Sequence, residues 1–267
     1  MNFTECSYDI IVLAGQSNAQ GTGRGKVSEE YIPNEEIISL SPVYTIGRII
    51  EDGVSKRHVI YDNSPFIFSI ADERIVDGKK IGNLALSFSE EYKKNGCLDD
   101  GRKILIIQAA IGATGFNHGH WGLNKPLYMK LVEMLDYALS LNTENKIKAL
   151  LWHQGEHDVN KEPLPEVYRS RLSEMLRDFK KRYNAHSFPV ITADFSNDWK
   201  IAKKGKADVV SDIIKEVITK EGGIFLNTDG LLSNNQESGD GDRVHFCRES
   251  LHLLGKRYFE AYKKLTT

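Results

Sequence analysis

The chain has 267 residues, 40% of them apolar and 27% charged, the balance of an ordinary globular protein long enough to bury a sizeable core. Its formal net charge is −2 and no stretch is strongly basic, so the charge gives no reason to expect a nucleic-acid or anionic-membrane partner. No apolar run approaches the ~20 residues of a membrane span, and three widely separated cysteines, Cys6, Cys97 and Cys247, do not suggest a disulfide framework.

The opening MNFTECSYD lacks a basic n-region and an apolar h-region. That predicts a cytoplasmic protein, or a secreted one whose leader has been removed. The first predicted strand, Asp9–Leu13, runs directly into the polar turn Gly15-Gln16-Ser17-Asn18. Residues from Gly21 to about Lys80 are rich in Pro, Asp, Ser and Gly, which predicts long loops and a small hairpin over a sheet edge.

Beyond that segment, apolar positions at four-residue spacing (Leu84, Phe88, Tyr92) predict a helix. A strand at Lys103–Gln108 follows, then a helix over Pro126–Leu141 with its proline in the first turn. Next come a strand at Ile147–Trp152 and a helix carrying Tyr168, Leu172, Leu176 and Phe179 on one side. Short strands at Pro189–Ala193 and Ile224–Asn227 precede a last helix, Ser250–Lys264. Near-continuous apolar strands alternating with amphipathic segments predict an α/β protein with a mostly parallel sheet covered on both faces. With no repeat and no compositional break, one domain over residues 1–267 is expected.

The turn after the first strand has three readings. As a phosphate loop it fails, because Gln20 stands where a P-loop needs its first glycine and Val27 replaces the magnesium-binding hydroxyl. As a simple strand-to-helix turn its Gly, Ser and Asn are explained by backbone geometry, with Ser17 as a cap. As a nucleophile, Ser17 would lie at the carboxyl end of a parallel strand, where open α/β sheets bind ligands. That reading needs a base and an orienter.

Near the C-terminus, SGDGDRVHF holds Asp242 three residues before His245, a spacing that lets the carboxylate reach the imidazole Nδ1–H and leave Nε2 to accept a proton. An acid-rich loop with a surface histidine is the plainer alternative. After the strand Lys103–Gln108 comes AAIGATGFNHGHW, and after Ile147–Trp152 comes HQGEHD. Ser17 N–H, Gly112 N–H and the Gln154 amide make a set of donors for an oxyanion, each worth a hundredfold or more in rate.

The pieces LAGQSNAQGTG, AAIGATGFNHGHW, LLWHQGEHD and DRVHF together resemble the SGNH hydrolase superfamily. More closely, they resemble the sialate O-acetylesterase-like carbohydrate esterases and their acetylxylan esterase relatives. The resemblance implies a flavodoxin-like three-layer α/β/α fold and metal-free, cofactor-free hydrolysis of acetyl esters on sugars. It implies Ser17 as nucleophile, His245 as base, Asp242 as orienter, and Gly112 with Gln154 in the oxyanion hole. Gln16, Asn18 and Glu156 would support the site, while His118, His120 and Trp121 would line the acyl or sugar pocket. Two departures stand out: Ile111 replaces the first of a glycine pair, and His157 replaces a serine.

Two rivals remain at this stage. His153-Gln-Gly-Glu-His157 matches an inverted zinc-protease motif, which works only on a helix, and Gly155 in its middle disfavours one. A carbohydrate-binding protein on the same scaffold is the non-enzymatic alternative. The sequence does not indicate the oligomeric state.

Overall fold

The computed structural model describes residues 6–51, 53–159, 165–184 and 188–266; residues 1–5, which carry most of the leader expectation, lie outside them. The chain begins with β1 (Ser7–Gly15) and the one-turn helix α1 (Ser17–Gln20). It continues through β2 (Ile37–Ser41), β3 (Tyr44–Glu51), β4 (Val54–Tyr61), β5 (Ile67–Ile70), β6 (Arg74–Val76) and β7 (Lys79–Ile81). Helices and strands then alternate: α2 (Leu84–Lys94), β8 (Arg102–Gln108), α3 (Pro126–Leu141), β9 (Lys146–His153), α4 (Pro165–Tyr183) and β10 (Val190–Ala193). The remainder is α5 (Asn197–Ala202), α6 (Lys206–Lys220), β11 (Ile224–Leu226), α7 (Asn234–Ser238) and α8 (Arg248–Thr266).

Seven strands form one sheet in the order β11-β10-β9-β1-β8-β2-β5, parallel except for the edge strand β5. Alternation along β1 sends its side chains to two cores. Ile10 and Val12 join Leu131, Leu135, Leu172 and Ile214 of α3, α4 and α6 on one face. Ile11 and Leu13 join Phe88, Leu251, Leu254 and Tyr258 of α2 and α8 on the other. Helices therefore cover both sides of a mainly parallel sheet, the three-layer arrangement expected. Each fully buried Leu or Phe in such a layer contributes about 1.5–3 kcal/mol.

The segment from Gly21 to Lys80 contains more regular structure than its composition suggests. β2 pairs in parallel with β8 and β5 closes the edge antiparallel, while β3–β4 and β6–β7 form separate hairpins. β2 is only IISLS, too short and too little alternating to stand out among polar neighbours. The segment is tied to α8 by an ion cluster in which buried Arg248 donates to buried Glu73 (3.0 Å to Oε1) and to the exposed Glu30, and His252 lies 3.0 Å from Glu73 Oε1. Burial pushes the Glu73 carboxyl up, but the hydrogen bonds from His252 and Arg248 outweigh it and hold it down at about 2.

Among the described residues no helix is long and apolar enough to cross a membrane. Cys6, Cys97 and Cys247 are free thiols.

Candidate active site

The carboxyl ends of β1, β8 and β9 and the loop before α8 meet at one open cleft of about 580 Å³, whose lining includes Ser17, Gly112, Glu156, His157 and His245. Gly15 ends β1 at φ 133°, and a Cβ there would lie 2.0 Å from the His153 carbonyl oxygen. Only glycine lets β1 pass that close to β9 before the chain turns into α1. The turn delivers Ser17, almost wholly buried, into the wall of the cleft.

Asn18 fastens this turn to two other loops. Its Nδ2 donates to Glu156 Oε1 at 2.7 Å and to the Val244 carbonyl at 3.1 Å, while its Oδ1 accepts the Phe246 N–H at 3.1 Å. The residue after Ser17 thus holds both neighbours of His245. Gln16 Oε1 accepts the His157 N–H at 3.1 Å, joining the same turn to the β9 loop.

His245 Nδ1 is 2.9 Å from Asp242 Oδ2, and its backbone N–H reaches Asp242 Oδ1 at 3.3 Å. A carboxylate can only accept, so Nδ1 carries a proton, and in the neutral tautomer this fixes the lone pair is on Nε2. The loop is fixed by α7, whose Ser233–Gln236 capping box sets its first turn. From there Asn234 N–H donates to the His245 carbonyl (2.8 Å) and Asn235 N–H to that of Asp242 (2.9 Å). Asn234 Nδ2 and Arg24 Nη2 also donate to Asp242 Oδ2, each at 3.0 Å. Burial pushes the Asp242 carboxyl up, but the hydrogen bonds from His245 and Asn234 prevail and hold it at about 2. Sequence reasoning missed Arg24 and Asn234, since neither lies in a motif.

Gly112 N–H borders the cleft beside Ser17; in this structure it donates to Gln20 Oε1 at 2.9 Å. The next residue, Ala113, sits at φ 55°, an uncommon backbone state for alanine that lines the same cleft.

Gln154 does not fit the expected role of oxyanion donor. It is buried, its Nε2 has acceptors on Asp158 (2.6 Å), Gln16 (3.2 Å) and Thr114 (3.2 Å), and its Oε1 accepts from Tyr168. Two amide hydrogens with three internal acceptors leave none for a ligand. Asp158 in turn accepts the N–H groups of Phe116 (3.2 Å) and Asn117 (2.8 Å), joining the β8 and β9 loops, and burial pushes its carboxyl up.

Glu156 lies beneath Asn18, 3.6 Å from His153 Nε2. Burial would raise its carboxyl, but His153 and Asn18 outweigh that and keep it lowered.

The residues expected to line a sugar pocket divide. Trp121 is wholly buried, stacked edge-on against Trp152 with its Nε1 on Thr114, so it is a core residue and presents no face to a ligand. His120 is buried between the Gly115 N–H and the Arg57 carbonyl, and burial lowers its pKa. His118 pairs with the cleft residue His157, Nδ1 to Nε2 at 3.0 Å. Arg57, Lys203, Trp199 and Gln20 line the cleft without having been singled out in the sequence.

The zinc-motif geometry is not present. His153 ends a strand and Gly155 has φ 150°, so the segment is not helical. His153 faces Tyr258 in the interior while His157 faces His118. Among the described residues, no three His, Cys, Asp or Glu converge on one point.

The family model for carbohydrate esterases described as sialic acid-specific acetylesterases matches residues 7–264. The chain belongs to this family. It is a carbohydrate esterase, a carboxylic ester hydrolase by class. It is 26% identical over 270 residues to a probable carbohydrate esterase of Arabidopsis thaliana, covering 95% of this chain and 89% of that one. It is 22% identical over 236 residues to a probable 9-O-acetyl-N-acetylneuraminic acid deacetylase of Escherichia coli strain K12, covering 72% and 68%. Among solved structures, NanS superposes with a TM-score of 0.70 at 19% identity over 97% of both chains. A carbohydrate acetylesterase from Xanthomonas citri gives 0.63 at 13% identity, over 97% of this esterase and 56% of that chain. These likenesses carry the three-layer fold.

Proposed function

We propose that this carbohydrate esterase is a single-domain serine O-acetylesterase that removes acetyl groups from a sugar through a Ser17–His245–Asp242 triad. The observation that carries the reading is that His245, held 2.9 Å from Asp242, lines one cleft with Ser17 and Gly112.

In the first half-reaction Ser17 Oγ attacks the acetyl carbonyl carbon as His245 Nε2 takes its proton. Asp242, ionised at every working pH, steadies the imidazolium. The negative oxygen of the tetrahedral intermediate accepts the Ser17 and Gly112 N–H groups, after Gln20 Oε1 has left the latter. Collapse breaks the bond to the sugar oxygen, which takes the proton from His245, and the acetyl group stays on Ser17. Water then repeats the sequence, with His245 as base, and acetate departs. Gln154, Asn18 and Glu156 act beneath these atoms by holding the loops in register. Acetylated xylan fragments and sialic acids are both compatible with this chemistry.

The test is Ser17→Ala. Hydrolysis of p-nitrophenyl acetate and labelling by a fluorophosphonate probe should both fall to background, with the thermal midpoint nearly unchanged. Full activity in the variant would sink the assignment.

A further inference from the structure

A second pocket, of about 270 Å³, opens at the carboxyl ends of β8 and β2. Strand alternation makes it. Ile38 and Leu40 of β2 enter the core shared with α3, so Ser39 and Ser41 face the other way, towards the α2 side. Ser69 of β5 stands opposite Ser39, the two hydroxyl oxygens 3.1 Å apart. On that same face β8 and β1 carry Ile106 and Leu13 into the core. Three serines on the outer strands leave open the space that apolar side chains would fill.

The lining is polar and formally neutral: besides the serines it has Tyr44, Asn83 and Gln108, and one charge of each sign, Asp72 and Arg74. Among the described residues nothing hydrogen-bonds the Gln108 side chain. Asn83 is buried, and its Oδ1 caps α2 by accepting the Ala85 N–H at 2.8 Å, while its Nδ2 donates to none of the described residues. Hydroxyls and amides that both give and accept suit the hydroxyls of a neutral sugar ring, whereas an anion calls for a lining of cations. Gln20 is the wall between this pocket and the catalytic cleft and lines both. Its Nε2 donates to Tyr44 Oη on the pocket side and its Oε1 accepts the Gly112 N–H on the cleft side, each at 2.9 Å. Neutral bonds of this kind are worth only about 0.5–1.5 kcal/mol net, so a ligand hydroxyl can replace either.

We propose that this pocket binds the hydroxyls of a neutral sugar ring, and that its occupant draws the Gln20 amide off Gly112 and so frees that N–H for the oxyanion. The inference rests on the esterase reading of the adjoining cleft. The occupant is either a free sugar or the unit linked to the acetylated one, since both present the same hydroxyls. In either case a sugar in one space prepares the donor in the other. With the pocket empty, an ester has to displace Gln20 unaided and leave its amide to water.

The first test uses p-nitrophenyl acetate, which carries no sugar, with unacetylated methyl glucoside added at rising concentration. In the wild type KM should fall about two- to tenfold at little-changed kcat, because the contact removed belongs to the free enzyme. Gln20→Ala should not respond, since the competing oxygen is gone. Gln108→Leu and, independently, Ser41→Val should lose the response from the pocket side. The second test compares acetate release from a mono-O-acetyl methyl cellobioside with that from the same ester on methyl glucoside. The wild type should favour the disaccharide about tenfold in kcat/KM and Gln108→Leu should not. A response only in the first test makes the occupant a free sugar, and one only in the second makes it the linked unit. Inhibition by methyl glucoside, a response that survives Gln108→Leu, or no response in either test would overturn the proposal. Failure of the esterase reading looks different, because p-nitrophenyl acetate would then not be hydrolysed at all. In that case calorimetry with methyl glucoside decides the pocket: binding that Gln108→Leu abolishes supports it, and no binding overturns it.

Discussion

β1 carries buried polar groups at both ends, and the two ends are finished differently. At its start Asp9, wholly buried, accepts Tyr92 Oη at 2.7 Å and Arg102 Nε at 2.8 Å, with Lys148 Nζ at 3.7 Å. Two cations and a phenol close around one carboxylate. At its far end Gln16, Ser17 and Asn18 sit over Glu156 and His153, and there the accounts do not close. Glu156 Oε2 and His153 Nε2 are buried without a hydrogen-bond partner among the described residues. At the start a buried charge is neutralised by cations and ties β1 to β8 and α2; at the far end the buried polar groups border the cleft.

The difference is testable by mutating one acid from each region. Asp242→Asn should lower kcat by about 10³–10⁴, because the amide can donate to Nδ1 and favour the wrong tautomer. Near neutral pH the variant should also lose the stability that the ionised carboxyl contributes there. The wild-type carboxyl, held at about 2 against an ordinary 3.8, contributes stability above that ordinary value and loses it as pH falls towards 2. Asp242→Asn should lack that acid-side loss, which urea midpoints measured from pH 5 to 2 would detect. A variant keeping a tenth of the wild-type kcat would remove Asp242 from the triad.

Asp9→Asn should do the reverse. Breaking a buried pair leaves Arg102 without its countercharge and costs about 3–5 kcal/mol. The folded fraction should retain wild-type kcat/KM, since Asp9 lies at the opposite end of the strand from the cleft. Denaturant melts and active-site titration separate the two quantities. A fall in kcat at unchanged stability would break the contrast between the strand's ends.

How much of this was legible in the sequence follows the same division. Parallel strands such as Ile104–Ile107 and the stripe of α4 are visible because burial on both faces leaves a continuous or periodic apolar signal. Ser17, Gly112 and His245, which line one cleft, and Asp242, which pairs with His245, could be picked out because each stands in a strand-end loop or an Asp-x-x-His spacing. β2 and β5 were not, since short strands near a sheet edge carry too few apolar residues to separate from loop. Trp121 was misread because an aromatic in a glycine-rich loop looks like a sugar platform, whereas Thr114 and Trp152 close over it. Gln154 was misread because a motif gives a residue's position and not where its amide hydrogens go. Arg24 meets Asp242 across 218 residues of chain and Asn234 across 8, and no local pattern announces either contact.

The smallest expected effect concerns Gln20, which stands between the two kinds of region. Its Oε1 accepts the Gly112 N–H at 2.9 Å and its Nε2 donates to Tyr44 Oη at 2.9 Å, so it is as fully partnered as Asp9 although it lines the cleft. The first of those bonds uses the donor that an oxyanion needs. A substrate must exchange one neutral hydrogen bond for another there, an exchange that costs about 0.5–1.5 kcal/mol if the departing amide finds only water. Gln20→Ala removes the competitor and leaves Gly112 N–H to solvent. KM for p-nitrophenyl acetate should fall by about two- to tenfold with kcat little changed, because the contact exists in the free enzyme and not in the transition state. A drop in kcat at constant KM would instead mean that Gln20 holds the Gly112 loop in its productive shape, and the site would then depend on a closed network as much as the other end of the strand does.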